Sequence, residues 1–179
     1  MNIFVLHENP EIAAQYHCDQ HLHKMILESA QMLSTAMWYL PGVDPMLLTA
    51  IYKPAYPKHP CTQWVCASNH NALWLCSLAL SLEEIRQSLS NCAEHSSIPV
   101  VRLIYHYITH TYPLAPMLKC TKFVFAGIQS IAIRNESVVQ KYQRYYRFKH
   151  KKWPLDTGRP MSYKGRPVPS FMADLFPNT

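Results

Sequence analysis

Glycine is scarce in this chain, at four of 179 residues. Phosphate-binding loops need closely spaced glycines, because these let the backbone approach a phosphate group. The four glycines are scattered, so the sequence excludes a P-loop and a dinucleotide-binding fingerprint. Long stretches without a helix breaker, in a chain that is 49% hydrophobic, favour one helical domain with a sizeable core.

The chain also lacks the patterns of secreted and membrane proteins. The start, MNIFVL, has no basic residues before a short apolar run, which is not typical of a signal peptide. No stretch reaches the roughly 20 apolar residues of a membrane span. None of the six cysteines forms a Cys-x-x-Cys pair. We therefore expect a cytoplasmic protein (in the bacterial host cell, if it is phage-encoded) with reduced thiols and no membrane partner.

Helix start and stop signals divide the chain into several predicted helices, the first beginning at Asn9-Pro10-Glu11. From Trp153 onward the sequence is basic and punctuated by prolines, which favours an extended arm. The predicted helices cover residues 9–40, 45–52, 59–88, 98–109 and 137–152, and residues 114–134 stay open between helix and irregular structure. The sequence thus predicts an all-α fold, with a compact helical domain over residues 1–152 and a C-terminal arm over residues 153–179 packed on that domain.

The first predicted helix carries many reactive side chains on one face. At about 100° per residue, six polar side chains fall within an arc of roughly 80°. We call this set the reactive stripe: His17, His21, Lys24, Glu28, Gln31 and Thr35. A carboxylate, an amine and two imidazoles one turn apart are typical of a general acid–base site. A solvated face with an i,i+4 Lys–Glu pair is the other interpretation.

Positive charge is concentrated in the C-terminal quarter, where residues 141–166 hold nine of the seventeen Lys and Arg residues. This segment contains only one acidic residue, Asp156. Aromatic residues alternate with these cations. Cations for phosphates beside flat rings for bases are what a nucleic-acid groove needs, although tyrosines packed inward beneath solvated cations would give a similar pattern. The predicted nucleic-acid- or phosphate-binding residues are His17, Gln31, Arg144, Tyr145, Tyr146, Arg147, Lys149, Lys151 and Lys152.

Histidine spacing raises the question of a metal site. His17 and His21 have the i,i+4 spacing of a helical metal pair, and His59 or Cys61 could complete a zinc or iron site. Such pairs are common by chance in a chain with ten histidines. We therefore assign no metal ligand and no cofactor from this pattern.

The run Asp19-Gln20-His21-Leu22, with Glu28 six residues further on, resembles the catalytic helix of the pyrimidine-dimer DNA glycosylases of phages and bacteria. Ile3-Phe4-Val5 resembles the short N-terminal segment of that family. Arg144-Tyr145-Tyr146 with Lys149 is similar to an aromatic and basic run near its C-terminus. The resemblance covers about the first forty residues and this short run, and the chain otherwise looks like a phage protein.

The resemblance implies a chemistry. In that family an N-terminal α-amine attacks C1′ of a damaged nucleotide, and a glutamate assists ring opening and β-elimination from the resulting Schiff base. Carried over, Glu28 is the catalytic carboxylate, the Met1 amine is the nucleophile and His21 contacts the sugar or phosphate. Asn2 is too large for efficient removal of Met1, so we expect Met1 to provide the amine. Lys24, one turn before Glu28, is a substitute amine.

Three functions are therefore compared. The first is a DNA glycosylase and abasic-site lyase that acts on damaged or modified pyrimidines through an amine and Glu28, with DNA as its partner. The second is a non-enzymatic phage accessory protein that binds a nucleotide or nucleic acid in the same groove and antagonises a host factor. The third is a metal-dependent enzyme that processes nucleotides.

Overall fold

The computed structural model describes residues 1–111 and 120–176. Within these residues the chain is helical and contains no strand, so the all-α prediction is confirmed. The α-helices are α1 (Pro10–Tyr16), α2 (Asp19–Tyr39), α3 (Pro45–Ala50), α4 (Pro60–Cys66), α5 (Asn69–Leu89), α6 (Ile98–His106) and α7 (Val138–Thr157). A π-helical turn (Tyr107–Thr111) and two 3₁₀ turns (Gln129–Ile131 and Ser170–Leu175) complete the regular structure of the described ranges.

Local capping residues explain where several helices begin and end. The Asn9 side chain accepts hydrogen bonds from the backbone N–H groups of Glu11 and Ile12, which begins α1. Ser137 and Gln140 form a capping box at the start of α7. Gly158 ends α7 in a left-handed conformation, with φ of 67°. The positions of these helix ends are therefore determined by residues that are close to them in the sequence.

The prediction of one helix over residues 9–40 is wrong, because the chain is extended at His17 and Cys18. Distant parts of the chain replace the helical hydrogen bonds at this break. The Cys18 N–H donates to the Tyr146 hydroxyl at 2.9 Å, and the Asp19 N–H donates to the Ser162 carbonyl at 2.9 Å. The break turns α1 away from α2, so that α1 packs on α5 while α2 packs on α4, α5 and α6.

The predicted helix over residues 59–88 is also divided, at Ala67 and Ser68. Ser68 caps α5 by accepting a hydrogen bond from the His70 N–H at 3.1 Å. The buried Asn71 amide donates to the Trp64 carbonyl at 2.6 Å and thereby fixes α5 against the end of α4. The predicted short helix near residue 45 and the helix beginning at Ile98 are present as α3 and α6.

The boundary predicted after residue 152 is wrong, since α7 continues through Trp153 to Thr157. Pro154 lies in the last turns of the helix, where its missing N–H removes only one helical hydrogen bond. Residues 159–169 have no regular structure and are followed by a 3₁₀ turn. The extended arm over residues 153–179 is not confirmed. Within the stretch left open, residues 114–119 lie outside the described residues, and residues 120–128 are irregular.

The N-terminal segment (residues 1–6) is part of the hydrophobic core and does not lie on the protein surface. Ile3, Phe4, Val5 and Leu6 are all buried. The Gln143 side chain of α7 donates to the Leu6 carbonyl at 3.0 Å, so the segment is held between α2 and α7. This placement brings the beginning of the chain to the polar face of α2.

Candidate active site

The structure places the N-terminal amine beside the Glu28 carboxylate. The Met1 nitrogen lies 3.8 Å from Glu28 Oε2, and the Asn2 N–H donates to the same oxygen at 2.7 Å. The Asn2 side chain fixes this arrangement, because its Oδ1 accepts from the Ile3 and Phe4 N–H groups and its Nδ2 donates to the Ala126 carbonyl. The carboxylate is therefore held by the Asn2 N–H, and the Asn2 side chain fixes the backbone next to the amine.

Glu28 lies between two amines in different environments. Its Oε1 is 3.8 Å from Lys24 Nζ, and the Lys24 side chain is 63% exposed. The Met1 side chain, in contrast, is only 4% exposed, while the Glu28 side chain is 12% exposed. Met1 as a whole is partly exposed, so its accessible surface lies mainly on main-chain atoms. The Met1 side chain is thus packed inside the protein, while the backbone end that carries the amine keeps accessible surface.

His59 belongs to the same site, although sequence reasoning considered it only as a metal ligand. Burial and the positive N-terminal amine lower the pKa of His59, and the nearby Glu28 carboxylate opposes this shift. His59 Nδ1 accepts a hydrogen bond from the Cys61 N–H at 3.2 Å and so caps α4. A His59 that is neutral at pH 7 can accept a proton near the amine. The only sequence signal for this role is the His-Pro start of α4.

Two predicted contact residues, His21 and Tyr146, lie inside the protein instead. His21 is 2% exposed and Tyr146 is fully buried. His21 Nδ1 lies 2.7 Å from the Tyr146 hydroxyl, and the His21 ring stacks on Phe4 with the centroids 4.8 Å apart. The structure corrects the expectation that His21 touches the sugar or a phosphate and that Tyr146 touches nucleic acid. Both side chains instead pack against Phe4 of the N-terminal segment, on the side that faces the core.

His17 is likewise a core residue, so the expectation that it binds phosphate is corrected too. It is fully buried, its Nδ1 lies 2.7 Å from the Ala13 carbonyl oxygen, and its Nε2 has no hydrogen-bond partner among the described residues. Burial lowers the pKa of His17 to about 4, with the Arg166 charge acting in the same direction. The imidazole is therefore neutral in the folded protein at neutral pH.

We expect His17 to make the fold acid-sensitive. Its folded-state pKa of about 4 lies below the ordinary value of 6.5, so stability is retained above pH 6.5 and lost as the pH falls toward 4. The full loss from this group is about 3 kcal/mol. Urea unfolding at a series of pH values should show that His17→Leu loses about 3 kcal/mol less than wild type between pH 7 and 4. Parallel stability curves would contradict this assignment.

Other members of the reactive stripe have different surroundings. Thr35 is buried, and its hydroxyl bonds to the backbone of Gln31 and Ala55. The Gln31 side chain is partly exposed one turn beyond Glu28. Only Lys24, Glu28 and Gln31 of the stripe therefore present surface to a ligand.

The Asp19-Gln20 part of the motif fastens the C-terminal segment to the start of α2. Asp19 accepts hydrogen bonds from the Ser162 hydroxyl, the Lys164 N–H and Arg166, the last at 2.6 Å. Gln20 bonds to the backbone of Pro160 and Ser162. The two polar side chains therefore have structural roles in this fold.

Some basic residues of α7 form ion pairs with carboxylates, and others do not. Arg144 pairs with Glu136, and Arg147 Nη2 bonds to Asp174 Oδ2 at 2.6 Å. Lys151 is exposed, with no ion pair among the described residues. Lys152 makes one long contact with Asp156, at 3.9 Å. Much of the positive charge predicted to face nucleic acid is thus already matched by protein carboxylates.

A cleft of about 220 Å³ is lined in part by Lys24, whose amine lies 3.8 Å from Glu28 Oε1. Its walls include Lys24, Lys149, Lys152 and Trp153. The half-buried Tyr145 lies behind Lys149, and its ring centroid is 5.6 Å from the Lys149 amine. Trp153 is one of the aromatic residues that alternate with the cations in the sequence, but it was not among the predicted binding residues.

The described residues contain no group of three or more His, Cys, Asp or Glu side chains that could hold a metal ion. The metal-dependent interpretation thus has no ligand cluster in this part of the chain. No helix of residues 1–111 and 120–176 is long and apolar enough to cross a membrane.

No protein-family model, no curated protein and no solved structure matches this chain significantly. The resemblance to the pyrimidine-dimer glycosylases therefore stays a prediction. Any function must be argued from the geometry around Met1 and Glu28.

Proposed function

We propose that this protein is a DNA glycosylase and abasic-site lyase that uses the Met1 amine as nucleophile and Glu28 as proton carrier. The observation that carries the proposal is the 3.8 Å separation between the Met1 nitrogen and Glu28 Oε2. A primary amine beside a carboxylate is the pair that Schiff-base chemistry requires. The α-amine is suited to this role because its ordinary pKa is lower than that of a lysine.

The reaction at an abasic site proceeds in four steps. The unprotonated amine attacks the C1′ aldehyde of the ring-opened sugar, and the carbonyl oxygen takes up a proton. Loss of water gives an iminium ion. Removal of a proton from C2′ then expels the 3′ phosphate as the C3′–O bond breaks. Water finally hydrolyses the imine and releases the amine. At a damaged or modified pyrimidine, the same amine displaces the base from C1′ in the first step.

Glu28 can serve these proton transfers because it touches the amine and still has some accessible surface. It accepts the proton that the ammonium group must lose, and we assign to it the later removal of the proton from C2′. The Asn2 N–H on Oε2 holds the carboxylate in position during both transfers.

The surrounding charge favours DNA as the substrate. The chain has a formal net charge of +6, and Lys24, Lys149 and Lys152 line the cleft next to Glu28. Such a cluster attracts phosphates on both sides of a target nucleotide. Among the described residues, Asp156 is the only acid in the wall of that cleft.

Borohydride trapping tests the proposal. With a duplex that contains one abasic site, we expect a covalent adduct whose tryptic map places the modification on the Met1 amine. A variant with two residues added before Met1 should lose this adduct, because its amine no longer lies beside Glu28. Lys24→Ala should retain it.

Two results would overturn the proposal. One is the absence of any adduct with duplexes that carry abasic sites or ultraviolet damage. The other is an adduct of undiminished yield in the extended variant. If the protein binds DNA without forming an adduct, the accessory-protein interpretation replaces the enzymatic one.

A further inference from the structure

Lys149 has an environment that sets it apart from the other lysines of α7. Its amine lies over three aromatic rings, 5.7 Å from the centroid of Phe4, 5.6 Å from that of Tyr145 and 5.2 Å from that of Trp153. These are cation–π distances, and together the rings form a cage around the amine. The ion pairs of the described residues do not include Lys149.

Phe4 shows that the cage is built into the fold. Its backbone is left-handed, with φ of 42°, a conformation that is strained for a residue other than glycine. In this conformation the Phe4 ring stacks on His21, and one edge of the cage is fixed from the core. A strained residue that positions an aromatic ring beside a reactive group is a common feature of functional sites.

The aromatic rings favour the charged form of the Lys149 amine, but burial acts against this form. Burial lowers the pKa of Lys149, and the nearby Lys24 charge acts in the same direction, while Glu28 and other acids oppose it. Desolvation next to a second cation is how proteins make a lysine nucleophilic at neutral pH. Lys24 and Lys152, with side chains 63% and 55% exposed, lack such a cage.

The cleft in front of Lys149 fits a small phosphorylated carbonyl compound. Lys24 and Lys152 supply two cations for a phosphate, and Trp153 supplies a flat wall for a sugar or base. Lys149 lines the same cleft, so a ligand bound there would lie against this side chain. The volume of about 220 Å³ suits a small ligand such as a sugar phosphate.

We propose that Lys149 is a second carbonyl-reactive amine, which forms a Schiff base with phosphorylated aldehydes bound between Lys24, Lys152 and Trp153. The amine adds to the aldehyde carbon, the carbonyl oxygen is protonated, and the loss of one water leaves an imine. The proton released by the ammonium group passes to solvent. This site goes beyond the proposed function, since it does not require the Met1 amine.

The test uses 2-deoxyribose 5-phosphate, an aldehyde-forming sugar phosphate, followed by borohydride reduction and tryptic mapping. Reduction adds hydride to the imine carbon and fixes the label as a secondary amine. We expect Lys149 to be labelled about tenfold faster than Lys151 or Lys152. Lys149→Arg keeps the cation within the cage and should lose this label, whereas Lys151→Arg is the matched control and should keep it.

A second arm replaces the sugar phosphate by an abasic duplex. Labelling of Lys149 in that arm identifies the DNA sugar as the source of the aldehyde, and labelling only in the first arm identifies a free sugar phosphate. Equal labelling of all three lysines in both arms would overturn the proposal. The same digest reports Met1 separately, so failure at Met1 and failure at Lys149 are distinguishable.

Discussion

Replacement of Glu28 by glutamine is expected to slow formation of the borohydride-trapped adduct on Met1 by about 10²–10⁴-fold. Glutamine has the shape of glutamate, and its amide oxygen can still accept the Asn2 N–H that now bonds to Oε2 at 2.7 Å. The substitution therefore removes the charge and the proton-accepting ability while the N-terminal segment stays in place. Single-turnover trapping with an abasic duplex measures the rate.

Glu84→Gln is the matched control, because Glu84 is an exposed carboxylate on α5, away from the amine. It should trap at the wild-type rate. Thermal unfolding of both variants checks that the fold is retained. An undiminished trapping rate in folded Glu28→Gln would remove Glu28 from the mechanism, whatever the identity of the amine.

Replacement of Tyr146 by phenylalanine is expected to lower the free energy of unfolding by about 2–4 kcal/mol. The lost hydroxyl bonds to the Cys18 N–H at 2.9 Å and lies 2.7 Å from His21 Nδ1. All three residues are buried, so the substitution leaves two polar groups without partners and without access to water. Urea denaturation at pH 7 measures the change.

Tyr145→Phe provides the comparison on the same helix. The Tyr145 hydroxyl makes no hydrogen bond within the described residues and its side chain is half-buried, so we expect a change of about 0.5 kcal/mol or less. Equal losses in the two variants would show that the hydroxyl network under the N-terminal segment contributes little to stability.

The features of the fold that depend on neighbouring residues could be predicted from the sequence. The Ser137 cap and the Asn9-Pro10 start mark real helix ends. The break at His17 and Cys18 could not be predicted, because its hydrogen-bond partners Tyr146 and Ser162 lie more than a hundred residues away.

The candidate site also has parts that could be predicted from local spacing and parts that depend on distant contacts. Helical spacing grouped Lys24 with Glu28, and the structure shows the two in contact. The same spacing also grouped His17 and His21 with them. The helix break and the burial against Phe4 instead direct both imidazoles into the core. The role of His59 depends on how α4 packs beside the N-terminal segment, and no pattern within the sequence reports that packing.

The position of the N-terminal segment between α2 and α7 also sets the time at which the site can exist during synthesis. A ribosome that has made the first 137 residues has already produced the amine and Glu28. It has not yet produced Tyr146, whose hydroxyl contacts His21. It also lacks Gln143, whose side chain donates a hydrogen bond to the Leu6 carbonyl. Contacts between such distant parts of a chain form late in folding. Nascent and prematurely terminated chains therefore lack the assembled site, and the proposed cleavage of DNA could begin only once α7 has emerged.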